Sequence, residues 1–206
     1  PHMVMKDVLG QVLPAGKTCE EMGVCFFSAE AVISIGSAFE SGRIPTSKTV
    51  TFVKKDGTTR IIETCIGTPI GNILEVYGET INEFDRLILG GPMTGSAVYA
   101  LDHPVQPDTD SIIVVDRDQA AYVSDYPCIN CGECVRICPA KIQVNMLVRF
   151  LEASQYEEAV DAYDLNSCIE CGLCSYVCVS KIPIFQYIKL AKYELQRAKM
   201  SEEANA

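Results

Sequence analysis

Cysteine is the residue type that stands out for its chemistry, because eight of the eleven cysteines form two groups with identical spacing. The first group is Cys128, Cys131, Cys134 and Cys138, and the second is Cys168, Cys171, Cys174 and Cys178. Each group follows the pattern C-x2-C-x2-C-x3-C, in which thiolates hold an iron–sulfur cluster and the fourth cysteine ligates the other cluster. The pattern predicts two 4Fe–4S clusters, one on Cys128, Cys131, Cys134 and Cys178 and the other on Cys168, Cys171, Cys174 and Cys138.

Zinc is the alternative metal for a cysteine-rich chain. It is typically bound by two separate C-x2-C pairs instead of three evenly spaced cysteines and a fourth. The residues beside the cysteines also favour iron–sulfur clusters, since Gly132 and Gly172 keep each loop slim enough for backbone N–H groups to approach sulfide. Pro139 follows the fourth cysteine of the first group, as in bacterial ferredoxins. Val179 departs from that pattern in the second group and affects only the local turn.

The other motifs do not predict a catalytic site. Cys19, Cys25 and Cys65 are each interpreted as small buried hydrophobic residues, and a further metal or redox role for Cys19 and Cys25 is the alternative. The segment 90–95, Gly-Gly-Pro-Met-Thr-Gly, lacks the lysine of a P-loop and the spacing of a dinucleotide-binding loop. A structural turn is therefore predicted there. His103 is interpreted as a loop residue.

Charge and hydropathy limit the partners and the location of the protein. With 17 basic and 27 acidic side chains the net charge is −10, which argues against binding to nucleic-acid phosphates. No run reaches the eighteen or so consecutive apolar residues that a membrane-spanning helix needs. Since metal-binding cysteines need a reducing compartment, we expect a cytoplasmic location, either free or peripheral on the cytoplasmic face of the inner membrane.

The first part of the chain predicts a mixed sheet with helices. Ser28 is a good N-cap for a helix whose apolar stripe includes Ile35 and Phe39 and which ends at Gly42. Alternating residues and turn signals then predict a hairpin, a short helix and two further strands. These elements lie at 49–53 and 60–65, at 70–77, and at 86–89 and 111–115. A hairpin crossed by one helix and followed by strands indicates an α+β fold, with a β-grasp domain over residues 4–120.

The second part of the chain predicts helices only. The 29 residues between the two cysteine groups contain amphipathic segments at 142–151 and 155–163, and a closing helix follows Pro183. Such a long helical linker indicates an all-α two-cluster ferredoxin domain over residues 121–200. The closing segment is basic, which predicts a solvated face or, alternatively, a docking surface for an acidic electron carrier. Its basic residues are Lys181, Lys189, Lys192, Arg197 and Lys199.

Three stretches of the sequence resemble a known family. Cys168-Ile-Glu-Cys-Gly-Leu-Cys-Ser-Tyr-Val-Cys178, followed by Ser-Lys-Ile-Pro-Ile-Phe-Gln-Tyr, resembles the end of the C subunit of the Rnf electron-transport complex. Gly67-Thr-Pro-Ile and the segment 90–95 resemble that protein's SLBB domain, a β-grasp module shared with the flavin subunit of respiratory NADH dehydrogenases. The resemblance covers most of residues 25–195. It implies electron transfer through two clusters between a reduced carrier, NADH or ferredoxin, and membrane or soluble partners.

The family's N-terminal portion, which binds flavin and NADH through a glycine-rich loop, has no counterpart in this sequence. We therefore interpret the sequence as a fragment or a truncated paralogue and do not assign NADH oxidation to it. The leading hypothesis is an electron relay between a ferredoxin, a flavoprotein or an NADH-oxidising partner and a redox complex, with no catalytic site of its own. The alternative is a partner-binding SLBB module of a larger oxidoreductase, of the cobalamin reductase or amino-acid reductase type, in which the clusters are mainly structural.

Overall fold

The chain forms two compact units, as seen in a computed structural model that describes residues 2–205. Residues 27–121 make up the sheet unit, and residues 2–26 together with 122–205 make up the helical unit. The predicted boundary after residue 120 lies one residue from the boundary in the structure. The N-terminal segment differs from the prediction, because residues 4–26 were expected to belong with the sheet.

The segment 2–26 belongs to the helical unit because it lies beside the loops of that unit. It opens with helix α1, His2–Leu9, in which Met5 is completely buried. A shallow cavity is lined by Met3 and Lys6 on this segment and by Pro139 and Asn166 of the second part of the chain. No clear apolar period marks residues 4–26, so the sequence contains no local sign of which core they join.

The sheet unit contains two α-helices and five strands, which are α2 (Ala29–Ser41), β1 (Ser47–Val53), β2 (Thr59–Cys65), α3 (Ile70–Val76), β3 (Arg86–Leu89), β4 (Ser96–Val98) and β5 (Ser111–Val115). The strands form one sheet in the order β2-β1-β5-β3-β4. Strands β1 and β5 pair in parallel, and the other neighbours pair antiparallel. The predicted hairpin, short helix and two further strands are present, and β4 was missed because three residues carry no periodic signal.

The core of the sheet unit lies between alternate strand residues and one face of α3. Val50 and Phe52 of β1 are fully buried, and Phe52 is paired with Ile112 of β5. Ile70 and Leu74 of α3 belong to the same core. Strand residues two apart point to the same face of a sheet, so the alternation in β1 directs its apolar side chains to this core.

Helix α2 has the predicted ends but not the expected packing. The hydroxyl of Ser28 accepts a hydrogen bond from the Ala31 N–H, and Gly42 ends the helix in the left-handed conformation. No residue of α2 is buried, and Phe39 is 87% exposed. The core of the sheet unit is completed by α3 instead. Two polar contacts connect α2 to β1, since the buried Lys48 ammonium lies 2.6 Å from the Glu30 carboxylate and the Thr49 N–H donates to the same carboxylate at 3.2 Å.

The glycine-rich segment 90–95 is the turn between β3 and β4, which confirms the structural interpretation. Leu89 and Ser96 face each other across this hairpin. A Cβ atom on Gly95 would lie 2.6 Å from the carbonyl oxygen of Gly91 and 2.7 Å from that of Leu89, so only glycine fits. The Ser111 hydroxyl donates a hydrogen bond to the Gly90 carbonyl, which fastens the turn to β5.

The helical unit contains no strand among its described residues, 2–26 and 122–205. Besides α1 it consists of α4 (Glu133–Ile137), α5 (Val144–Glu152), α6 (Tyr156–Tyr163), α7 (Leu173–Tyr176) and α8 (Ile184–Asn205). The predicted helices of the linker correspond to α5 and α6. Their apolar faces meet α8 in a core that includes Leu147, Leu165 and Ile188. Within residues 2–205, no helix is both long and apolar enough to cross a membrane.

Candidate metal centres

The two cysteine loops have nearly the same backbone. Left-handed residues occur at three matched positions, although four of the six residues are not glycine. The matched pairs are Asn130 (φ 59°) and Glu170 (φ 56°), Gly132 (φ 78°) and Gly172 (φ 76°), and Lys141 (φ 59°) and Lys181 (φ 56°). A left-handed conformation is uncommon for residues with a Cβ atom. Its recurrence at the same places shows that the repeat in sequence is also a repeat in structure.

Short helices position the later cysteines of each group. Helices α4 and α7 begin directly after Gly132 and Gly172, and they carry Cys134 and Cys174 in their first turn. Cys138 is the C-cap of α4, and the chain then turns into α5. The second group repeats this path from α7 into α8. The spacing of two residues between cysteines thus corresponds to a tight loop that leads into a helical turn.

The structure brings the eight cysteines together in two sets of four, and each set lines one cavity. The first cavity is lined by Cys128, Cys131, Cys134 and Cys178. The second is lined by Cys138, Cys168, Cys171 and Cys174. In each set three cysteines come from one group and the fourth comes from the other. Each cavity holds about 350 Å³ of empty space, including its open mouth.

Each set supplies four thiols to the lining of one cavity. Among residues 2–205, no three His, Cys, Asp or Glu side chains lie close enough to hold a single metal ion. Four sulfurs on one zinc ion would each lie about 2.3 Å from it, whereas in a four-iron cluster each thiolate binds a different iron. Four thiols around one cavity match the four cysteine ligands that a 4Fe–4S cluster takes.

The other residues that line the two cavities are mostly apolar, although Asn145 and Ser180 also line the first cavity. Val148 and Ile182 line the first cavity, and Val144 and Ile188 line the second. At the mouth of the first cavity Cys131 is exposed and Ile129 is 64% exposed. The matching Cys171 and Ile169 of the second loop are only partly exposed, and Gly172 is buried. The first centre is therefore more accessible to solvent than the second.

Burial makes several of these thiols hard to ionise. It raises the pKa of the Cys134 thiol to about 11, with the neighbouring Cys128 adding to the effect. It raises the pKa of the Cys174 thiol to about 12, with Cys168 adding to it. The pKa of Cys168 is also raised by burial, which the nearby Lys192 ammonium partly opposes. Because thiolate is the ligating form, cluster binding must release protons from these side chains.

The three remaining cysteines lie outside both cavities. Cys19 is buried, as predicted, whereas Cys25 and Cys65 are exposed, so the prediction of burial was wrong for those two. Cys65 is the last residue of β2, at the edge of the sheet, where its side chain points away from the core. All three are free thiols.

Two residues that hold the cysteine loops were not predicted from the sequence. The Lys192 ammonium of α8 donates to the Cys168 carbonyl and to the Glu170 carboxylate, both at 2.7 Å. In the first loop the Asn145 amide of α5 donates to the Asn130 side-chain oxygen, also at 2.7 Å. Lys192 was interpreted as part of a solvated or docking face. One signal in the sequence could have pointed to this contact. Asn130 and Glu170 occupy the same place in the two groups, and only the second is charged, which suggests a partner of opposite charge.

A family model describes the same part of the chain. Residues 127–182 match the model of the 4Fe-4S dicluster domain. The chain carries a domain for two 4Fe–4S clusters. The matched range contains all eight cysteines that line the two cavities, and it leaves Cys19, Cys25 and Cys65 outside.

Curated relatives extend the similarity over nearly the whole chain. The C subunit of the proton-translocating ferredoxin:NAD(+) oxidoreductase complex of Clostridium ljungdahlii is 32% identical over 98% of this chain and 44% of its own length. The C subunit of an ion-translocating oxidoreductase complex of Pseudomonas aeruginosa is 31% identical over 97% of this chain and 26% of its own length. The chain is thus a homologue of these C subunits and spans less than half of their length. The predicted resemblance to the Rnf C subunit is confirmed.

Proposed function

We propose that this chain relays electrons, one at a time, through two 4Fe–4S clusters between protein partners of an ion-translocating oxidoreductase complex. The observation that carries the proposal is the pair of cavities, each lined by four thiols. With four cysteine ligands for four irons, neither centre leaves an iron open to a substrate. An electron relay needs no such open iron, whereas an enzyme that reduces a substrate at a cluster does.

We assign one cluster to Cys128, Cys131, Cys134 and Cys178 and the other to Cys168, Cys171, Cys174 and Cys138. A bound 4Fe–4S cluster supplies reversible one-electron oxidation and reduction. The chain's own residues set the conditions for it, since the mostly apolar walls exclude water and backbone groups can donate to sulfur. One such contact is present, in which the Ile182 N–H donates to the Cys178 sulfur at 3.4 Å. Burial and hydrogen bonds to sulfur are among the factors that set cluster potentials.

The proposed partners are redox proteins, and two observations support this choice. The relative from Clostridium ljungdahlii is named as a subunit of a ferredoxin:NAD(+) oxidoreductase complex. In the present chain, the exposed Ile129 and Cys131 give a partner's redox centre a short route to the first cluster. We propose a ferredoxin or a flavoprotein as the electron carrier and the cytoplasmic face of a membrane complex as the location.

We further propose that the sheet unit is an SLBB-like β-grasp domain over residues 27–121. Its strand order supports this assignment, since the first and last strands pair in parallel at the centre and each has an antiparallel neighbour. Helix α3 follows the first hairpin directly, as the predicted β-grasp arrangement requires. The tight Gly90–Gly95 turn belongs to the same unit, and its sequence is one of the two stretches that resemble SLBB domains.

The test is the metal content and redox behaviour of the anaerobically purified chain. We expect about eight irons and eight acid-labile sulfides per chain, because two four-iron clusters bind. Electron paramagnetic resonance (EPR) during a dithionite titration should show two one-electron centres, and reduced ferredoxin or a reduced flavoprotein should bleach the visible absorbance. Stoichiometric zinc without iron would refute the proposal. Clusters that only dithionite reduces would favour the partner-binding module with structural clusters.

A further inference from the structure

The two cysteine loops are held in place by contacts of different charge. Asn130 and Glu170 occupy matched left-handed positions, each immediately before the second cysteine of its loop. The contact of Asn130 is with the neutral amide of Asn145. The contact of Glu170 is with the Lys192 ammonium. The two loops thus have the same backbone conformation, but the contact at the first loop is neutral and the contact at the second is an ion pair.

Lys192 makes two hydrogen bonds to the second loop, whereas Asn145, which also lines the first cavity, makes one to the first loop. Besides Glu170, its ammonium binds the carbonyl oxygen of Cys168, the first cysteine of the group. The side chain of Lys192 is 25% exposed and that of Glu170 is 42% exposed, so water screens the charge of Lys192 less. The loop segment between Cys168 and Cys171 is therefore connected to α8 at two points by one positive charge.

A charge in this position affects a cluster in a defined direction. A 4Fe–4S cluster on four thiolates is anionic, and reduction adds a further negative charge. A nearby cation stabilises the reduced form more than the oxidised form and raises the reduction potential, while a nearby anion lowers it. Lys192 and Glu170 are therefore expected to affect the same cluster with opposite signs, although they belong to the same contact.

We propose that Lys192 is a positioning residue for the second cluster, which fixes the loop that carries Cys168 and Cys171 and raises that cluster's reduction potential. The inference rests on the proposed relay and on the crossed assignment of the cysteines. The inference distinguishes the two clusters. The reduction potential of the second cluster should depend on Lys192, and that of the first cluster should not. Lys192 acts through the loop and through its charge, and it is not itself a ligand.

The test is an EPR-monitored redox titration of the intact chain and of four variants. Lys192→Gln should lower one of the two midpoint potentials, and Glu170→Gln should raise the same one. Each shift should correspond to a change of about threefold to tenfold in the reduction equilibrium, where tenfold equals about 59 mV for one electron. Lys192→Arg should keep the potential near that of the wild type. Asn145→Ala, the matched change at the first loop, should leave the Lys192-sensitive potential unchanged.

The rate of cluster loss to an iron chelator provides a second measurement, for the positioning role. In Lys192→Gln, the half of the iron that belongs to the second cluster should be lost faster than in the wild type. In Lys192→Arg, iron should be lost at the wild-type rate. Unchanged potentials, or shifts of the same sign in Lys192→Gln and Glu170→Gln, would overturn the inference. If Lys192→Gln assembles no second cluster, Glu170→Gln still decides the sign. Two reducible clusters with no response to these variants would refute this inference and leave the relay intact, whereas absence of iron would refute the relay.

Discussion

At the scale of single residues, the cysteines show how a repeated motif produces two centres that depend on each other. Cys138 and Cys178 each end one group but line the cavity of the other. In the proposed assignment, the fourth ligand of each cluster is separated by 30 or more residues from the other three. Folding of the whole helical unit is needed before either set is complete, so cluster assembly and folding should be coupled.

Pairs of cysteine substitutions test the crossed assignment by counting iron. Cys131→Ala with Cys178→Ala removes two ligands of the same proposed cluster, so about four irons should remain. Cys131→Ala with Cys138→Ala removes one ligand from each cluster, so iron should fall towards zero. Cys65→Ala is the control and should keep the full content, because Cys65 lies in the sheet unit. If the two double variants gave the opposite iron counts, each group would bind its own cluster.

At the scale of elements, the two units differ in what fills their cores. Strand β1 supplies Val50 and Phe52 to the core of the sheet unit, and the ring of Phe52 lies 5.3 Å from that of Tyr77. The core of the helical unit includes Cys134 and Cys138, which are also cavity residues. The core of the helical unit is therefore continuous with its candidate metal centres, whereas no cysteine belongs to the hydrophobic core of the sheet unit.

Substitutions of two phenylalanines measure how much each contributes to the sheet unit. Phe52→Ala should lower the free energy of unfolding by about 3–5 kcal/mol, because it leaves a cavity in a completely buried site. The matched control is Phe39→Ala on α2, which should change the free energy by less than about 0.5 kcal/mol because the ring is exposed. Urea unfolding followed by circular dichroism measures both. A large effect of Phe39→Ala would show that its ring is covered in solution.

At the scale of the whole molecule, the candidate metal ligands are confined to one of the two units. The eight cavity cysteines all lie in the helical unit, and the sheet unit has its own apolar core. The short helices α4 and α7 have five and four residues, too few to be stable alone. Their conformation should depend on the clusters that they help to bind.

Removal of iron should therefore affect the two units differently. After anaerobic chelation, amide hydrogen exchange in α5 and α8 should accelerate about tenfold or more, equivalent to about 1.4 kcal/mol of lost protection. Exchange in β1 and β5 should change by less than about twofold. Hydrogen-exchange mass spectrometry on the intact chain reads both units in one sample. Equal loss of protection in both units would show that they unfold together, and no change in either would show that the clusters do not stabilise the fold.

The sequence alone determined the features that depend on neighbouring residues. The spacing of the cysteines, the Ser28 cap, the hairpin turn and the helices of the linker all rest on contacts within a few positions, and the structure contains each of them. The motif also predicts the two crossed ligand sets, because it carries the crossed rule with it, and their role as ligands stays a prediction.

Only the tertiary structure decided the features that depend on distant residues. It placed residues 2–26 in the helical unit, left the apolar residues of α2 exposed, and connected Lys192 to Glu170 across 22 positions of sequence. Local patterns show that a helix has an apolar or a basic face, but they do not show which surface that face meets. The packing of the whole unit decides which residues a helix face contacts, because burial and charge pairing depend on the residues of the neighbouring elements.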